Sequence, residues 1–236
     1  MVVATIPGRT PIGDAARMLV QIYEVSSADE ARALGRLGVD HIGVLVGDGT
    51  FPREQSIEAA KAIFSAIPFP SKGSALSLSA DTNFVEKIVS ELKPPILHLG
   101  ASTDLLTPAQ VRAIKGRFGA LVVTRSIPVV DEVSIGIAKT YDGIADILLL
   151  DSHKPGDAQI GALGVTHNWE LDKAIIASVS IPVIIAGGLG PDNVTDAIKA
   201  TRPLGVDSKT KTDKDDASHT KDLEKVRIFV ERAKSL

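Results

Sequence analysis

Residues 183–194 read Val183-Ile184-Ile185-Ala186-Gly187-Gly188-Leu189-Gly190-Pro191-Asp192-Asn193-Val194. A short β-branched run of strand type passes directly into paired glycines, and the residues after them open a helical pattern. Glycine lets a backbone approach an anion closely, while the first turn of a helix offers unpaired N–H groups and a positive dipole end. The stretch therefore predicts a phosphate held at the exit of a strand.

Working outward, the same unit of apolar run, polar turn and helical pattern occurs eight times. The strand candidates are Met18–Tyr23, His41–Val46, Ala75–Leu78, Ile96–Leu99, Ala120–Thr124, Ile147–Leu150, Val183–Ala186 and Gly205–Asp207. Helical periodicity falls near Ala28–Leu37, Ser56–Ala66, Asn83–Leu92, Pro108–Arg117, Asp131–Tyr141, Asn168–Ser178, Pro191–Ala200 and Lys221–Lys234. Ser26-Ser27-Ala28-Asp29 and Thr107-Pro108-Ala109-Gln110 each set a hydroxyl cap before a first turn. Eight near-equal units favour a closed (β/α)8 barrel of TIM type over a doubly wound sheet, and no G-x-G-x-x-G follows the first strand. The expectation is one α/β domain over residues 18–236, preceded by an N-terminal extension, 1–17. Ser208–Thr220, rich in Lys, Asp, Ser and Thr, reads as a long mobile loop.

Of the 236 residues 44% are apolar but only 4% aromatic, so Val, Ile, Leu and Ala must build the core, as suits a parallel sheet wrapped by helices. A net charge of −3 offers no positive field for nucleic acid or an anionic membrane. With no cysteine, disulfides, thiolate metal sites and a thiol base are all excluded. Neither a signal-peptide pattern nor an apolar run of membrane-spanning length occurs, which leads us to expect a cytoplasmic protein, monomeric or homodimeric, with a phosphorylated small molecule as partner and no cofactor.

In such barrels the active site lies at the C-terminal ends of the strands, with phosphate commonly held after the seventh and eighth. The polar residues there carry a family resemblance. Ile185–Val194 is similar to the strand-seven signature of phosphoribosylanthranilate isomerase, the barrel enzyme of tryptophan synthesis. Leu149-Leu150-Asp151-Ser152 resembles that family's sixth-strand exit, and Gly161–Trp169 its following glycine-rich loop and helix start. Phe51-Pro52-Arg53, Gly205-Val206-Asp207 and Lys221-Asp222 resemble further stretches in the same order. The resemblance implies an Amadori rearrangement, in which an acid protonates the ring oxygen of a ribosylamine and a base removes the proton from the adjacent carbon. It implies Asp151 as the acid and Arg53 as the partner of the substrate's carboxylate, a role suited to a bidentate guanidinium. Phosphate is expected on Gly187, Gly188, Leu189, Lys209, Thr210 and Lys211.

The departures are equally specific. The family's first strand carries Lys-Ile-Cys-Gly with the cysteine as base, whereas this chain has Gln21-Ile22-Tyr23-Glu24. A phenol of ordinary pKa near 10 is a poor base, and strand alternation aims Glu24 outward unless the strand ends there. Tyr23 and Glu24 are nonetheless the nearest candidates, with Asp48 and Asp81 as relocated alternatives. His98 stands one position early relative to the family's strand-four histidine, an offset that normally exchanges faces. His98 and Arg125, at strand exits, join Arg53 as substrate-binding candidates. Two alternatives remain: a binding or regulatory paralogue without catalysis, and metal-assisted hydrolysis using Asp48, His98, Asp151 and His153. His41 and His167 read as structural histidines.

Overall fold

A computed structural model describes residues 17–154, 156–161, 166 and 168–236. The expected extension therefore lies outside the described residues except for Arg17, as does part of the glycine-rich loop, His167 included. The alternating pattern produces β1 (Leu19–Ile22), α1 (Ala28–Arg36), β2 (His41–Leu45), α2 (Ile57–Ser65), β3 (Lys72–Ser77), α3 (Thr82–Leu92), β4 (Ile96–Leu99) and α4 (Pro108–Arg117). It continues with β5 (Val122–Val129), α5 (Val133–Tyr141), β6 (Ile147–Ser152), α6 (Trp169–Ser178), β7 (Val183–Ile185), α7 (Val194–Thr201), β8 (Gly205–Ser208) and α8 (Leu223–Lys234).

The strands form a closed parallel barrel in chain order, sealed where Leu19 pairs with Gly205 and Gln21 with Asp207. Helix starts follow the caps: Ser27 Oγ accepts the Glu30 N–H at 3.2 Å, and the Gln110 side chain accepts the Thr107 N–H at 2.8 Å. Alternation along each strand divides the core into two layers. Ile22, Val44, Leu97, Val123, Leu150, Ile185 and Val206 face the helices in one large cluster. A smaller cluster of Tyr23, Ile147, Leu149, Ile184 and Ala186 fills the barrel itself. Each fully buried aliphatic side chain contributes roughly 1.5–3 kcal/mol, so aliphatic packing suffices without many aromatics. No described helix is long and apolar enough to cross a membrane.

Several strand boundaries differ from the sequence reading: β3 begins at Lys72 rather than Ala75, and β6 runs on to Ser152. β5 continues to Val129 rather than stopping at Thr124, because Pro128 and Val129 still find register partners in Asp151 and Ser152. Ser208–Thr220 is not simply a solvated loop: Thr210–Thr212 form a 3-10 helix, Asp213 bridges Lys221, and Thr212, Asp213 and Lys221 are buried. Hydrophilic composition suggested mobility because the pairing that buries Asp213 reaches past the run to Lys221.

Candidate active site

Alternation points Gln21 and Tyr23 of the first strand unit, Ser74, His98 and Ser126 into the barrel. The Tyr23 ring enters because Gly43 faces it across β2, where a Cβ would stand 2.0 Å from a ring carbon. Its hydroxyl lies 2.7 Å from both Ser74 Oγ and His98 Nδ1, and His98 Nε2 lies 2.7 Å from Ser126 Oγ. The four groups thus satisfy one another in a buried chain. Burial pushes the Tyr23 phenol well above its ordinary value, and burial with the Arg125 charge lowers His98 to about 3. Both are neutral at neutral pH, so the Tyr23 phenol, a candidate base by its strand-one position, holds its proton there. His98 faces inward despite its offset and reaches the cavity floor.

Above this floor lies a cavity walled by Leu45, Leu76 and Leu149 and carrying Asp151, Asp207, Glu24 and Arg53 at its polar edges. Asp151, on β6, accepts the Ser152 N–H at 2.7 Å. Asp207, on β8, is 7% exposed and receives Gln21 Nε2 at 3.1 Å, while the Gln21 carbonyl oxygen meets His41 Nδ1 at 3.3 Å. Burial, then the Asp151 charge, raise the Asp207 carboxyl to about 8. The sequence reading did not select Asp207; its signal was a single acidic residue at an inward position of an otherwise apolar strand.

A second pocket adjoins the first. It brings together all six residues expected at phosphate, Gly187, Gly188, Leu189, Lys209, Thr210 and Lys211, and shares Asp151, Asp207 and Lys209 with the larger cavity. Gly187 and Gly188 have φ of 76° and 62°, a left-handed bend that few other residues tolerate. Asn193 fixes that turn, accepting the Gly190 N–H at 2.9 Å and donating to the Gly188 carbonyl at 3.1 Å, while Ser208 Oγ donates to the Leu189 carbonyl at 2.7 Å.

The opposite rim is held by charge. β1 ends at Ile22, and Glu24, at φ 59°, turns back over the mouth instead of outward. Arg53 donates to it through Nε at 2.5 Å and through Nη2 at 3.3 Å, and Lys209 Nζ stands 3.4 Å away. Burial would raise the Glu24 carboxyl, but the Arg53 hydrogen bond with the Lys209, Arg53 and Lys221 charges outweighs it and holds the group low. Lys209 also approaches Asp213 at 3.5 Å, and Asp213 is paired in turn with fully buried Lys221.

Arg125 requires a correction. On β5 it lies between inward Thr124 and Ser126, so alternation sends it outward, to the helix layer. There, fully buried, it donates to the carbonyls of Leu99, Ala101 and Leu106 and stacks 5.0 Å from the Tyr141 ring centroid. It lines neither pocket, so the structure does not bring it to the substrate-binding place expected of it. Asp48 and Asp81 are exposed and cap local turns, at Thr50 and Asn83. Among the described residues no three potential ligands cluster for a metal ion.

Residues 75–232 match the family described as N-(5'phosphoribosyl)anthranilate (PRA) isomerase. Over 216 residues the chain is 33% identical to N-(5'-phosphoribosyl)anthranilate isomerase of Methanocella arvoryzae, spanning 91% of this chain and 97% of that protein. The structure of the isomerase from Pyrococcus furiosus superposes with a TM-score of 0.75 at 23% identity, over 93% of this chain and all 100% of the other. A phosphoribosyl anthranilate isomerase in complex with reduced 1-(o-carboxyphenylamino)-1-deoxyribulose 5-phosphate gives 0.74 at 21%, with the same coverage. Those two structures share the barrel.

Proposed function

Because the chain belongs to the N-(5'-phosphoribosyl)anthranilate isomerase family, and is thus an aldose–ketose isomerase acting on a phosphorylated substrate, we propose that it converts N-(5'-phosphoribosyl)anthranilate to 1-(o-carboxyphenylamino)-1-deoxyribulose 5-phosphate. The reading is carried by the position of Asp151, which lines both the apolar cavity and the glycine–lysine pocket. A ligand with its phosphate on Gly187, Gly188 and Lys211 presents its sugar to Asp151 and its aromatic ring to the leucine walls.

Asp151 acts as general acid, delivering a proton to the ring oxygen as the sugar opens to an iminium. Arg53 faces the aromatic carboxylate, and Glu24 positions Arg53 and Lys209 instead of taking a proton, since a carboxylate paired with two cations is a weak base. His98, neutral and hydrogen-bonded at both nitrogens, supports the floor under the substrate. The test is rescue of a strain lacking its own isomerase. Growth on the wild-type chain, and none on Asp151→Asn, is expected; wild-type protein that neither rescues growth nor turns over the substrate in vitro overturns the reading.

A further inference from the structure

The Amadori step needs a base at C2' as well as an acid at the ring oxygen, and the cavity offers few groups for it. Tyr23 and His98 are locked into each other's hydrogen bonds with Ser74 and Ser126. Glu24 is engaged by Arg53 and Lys209. Asp151 is the donor. Among the described residues, the one carboxylate besides Asp151 that lines both pockets stands on the strand that closes the barrel against β1: Asp207 pairs in register with Gln21 and receives that residue's amide.

We propose that Asp207 is the general base of this isomerase, facing Asp151 across the substrate and taking the role that Tyr23 cannot fill. The inference rests on the isomerase reading above. Asp151 gives its proton to O4' as the C1'–O4' bond breaks and the iminium forms. Asp207 then takes the C2' proton, whose bonding pair becomes the C1'=C2' bond and neutralises the iminium nitrogen. The resulting enolamine ketonises by losing its hydroxyl proton and gaining one at C1'. Returning one proton from Asp207 to Asp151 resets the site.

The surroundings suit the task. Asp207 is enclosed, with the Asp151 and Glu24 charges opposing its ionisation and Lys221 favouring it; Lys209 lines the same pocket, and His41 lies behind Gln21. The balance favours the proton, up to a pKa of about 8, so the ionised carboxylate binds a proton far more avidly than an ordinary one. The active form holds the proton on Asp151 and leaves Asp207 ionised, a minor fraction at neutral pH.

Two measurements decide it. Asp207→Asn, which keeps an acceptor for Gln21, is expected to lower kcat by about 10³-fold, within the range for loss of a general base, while still binding reduced 1-(o-carboxyphenylamino)-1-deoxyribulose 5-phosphate. Because the step needs one proton on the pair, on Asp151 and not on Asp207, the kcat/KM of the wild type is expected to fall as pH rises through about 8, where that last proton leaves. Turnover by Asp207→Asn within about tenfold of wild type, a size too small for that role, overturns the inference and leaves the isomerase reading standing. A wild-type profile that instead rises through pH 8 to a plateau also overturns it, since the active form would then hold no proton on the pair. Wild-type protein without turnover overturns both.

Discussion

Two sides of one barrel carry polar side chains in the interior and use them in opposite ways. From β1 to β5, Ser74, Tyr23, His98 and Ser126 are bonded to one another, and burial drives Tyr23 and His98 away from any charge change near neutrality. From β6 to β8, Asp151 and Asp207 face a cavity and the adjoining glycine–lysine pocket, and burial moves Asp207 toward neutrality. The same physical force, desolvation, disables Tyr23 and His98 and tunes Asp207, because it raises acids and lowers bases. Polarity inside a barrel therefore does not mark reactivity; a polar group directed into a cavity, with a pKa near the working pH, does.

The contrast can be broken first at the loop that holds Lys209. Lys221→Met strands buried Asp213 without its ammonium, and a loss of about 3–5 kcal/mol is expected in denaturant unfolding. Adding Asp213→Leu should restore most of it; an unchanged single variant would mean that charge does not organise this side.

Next comes pH, to which the two sides answer with opposite signs. Asp207 rises from 3.8 to about 8 on folding, so its stabilising contribution is complete below about pH 4 and lost as pH rises toward 8. His98 falls from 6.5 to about 3, so its contribution is present above 6.5 and lost as pH falls toward 3. Melting curves of Asp207→Asn should therefore exceed wild type by a margin that widens from pH 4 to 8, with the acid limb unchanged. A constant margin would contradict the assignment.

The smallest expected effect is Tyr23→Phe, which deprives Ser74 and His98 of a partner at a cost of about 1–3 kcal/mol. Thermal unfolding measures it, and a loss above that range would give the network a larger structural share.

The sequence made the barrel legible through repetition, and the pocket proposed here for phosphate through the paired glycines between a β-branched run and a helix start. What it concealed was direction. Parity along β5 placed Arg125 outward, and the wider strand needed to establish that parity was itself underestimated. Glu24 escaped parity because β1 ends two residues earlier and its φ of 59° reverses its aim. Asp207 was quoted within a family-like stretch yet not selected, since its distinguishing feature is enclosure beside Asp151. Asp213 lay in a run whose composition suggested solvent, and its buried partner Lys221 stands just beyond that run.

The most direct test compares turnover of N-(5'-phosphoribosyl)anthranilate by wild type, Asp151→Asn and Tyr23→Phe under one set of conditions. The account predicts that Asp151→Asn loses about 10³-fold in kcat, and that Tyr23→Phe stays within about tenfold of wild type. Tyr23→Phe as inactive as Asp151→Asn would contradict it, placing the chemistry on the side of the barrel assigned here to structure.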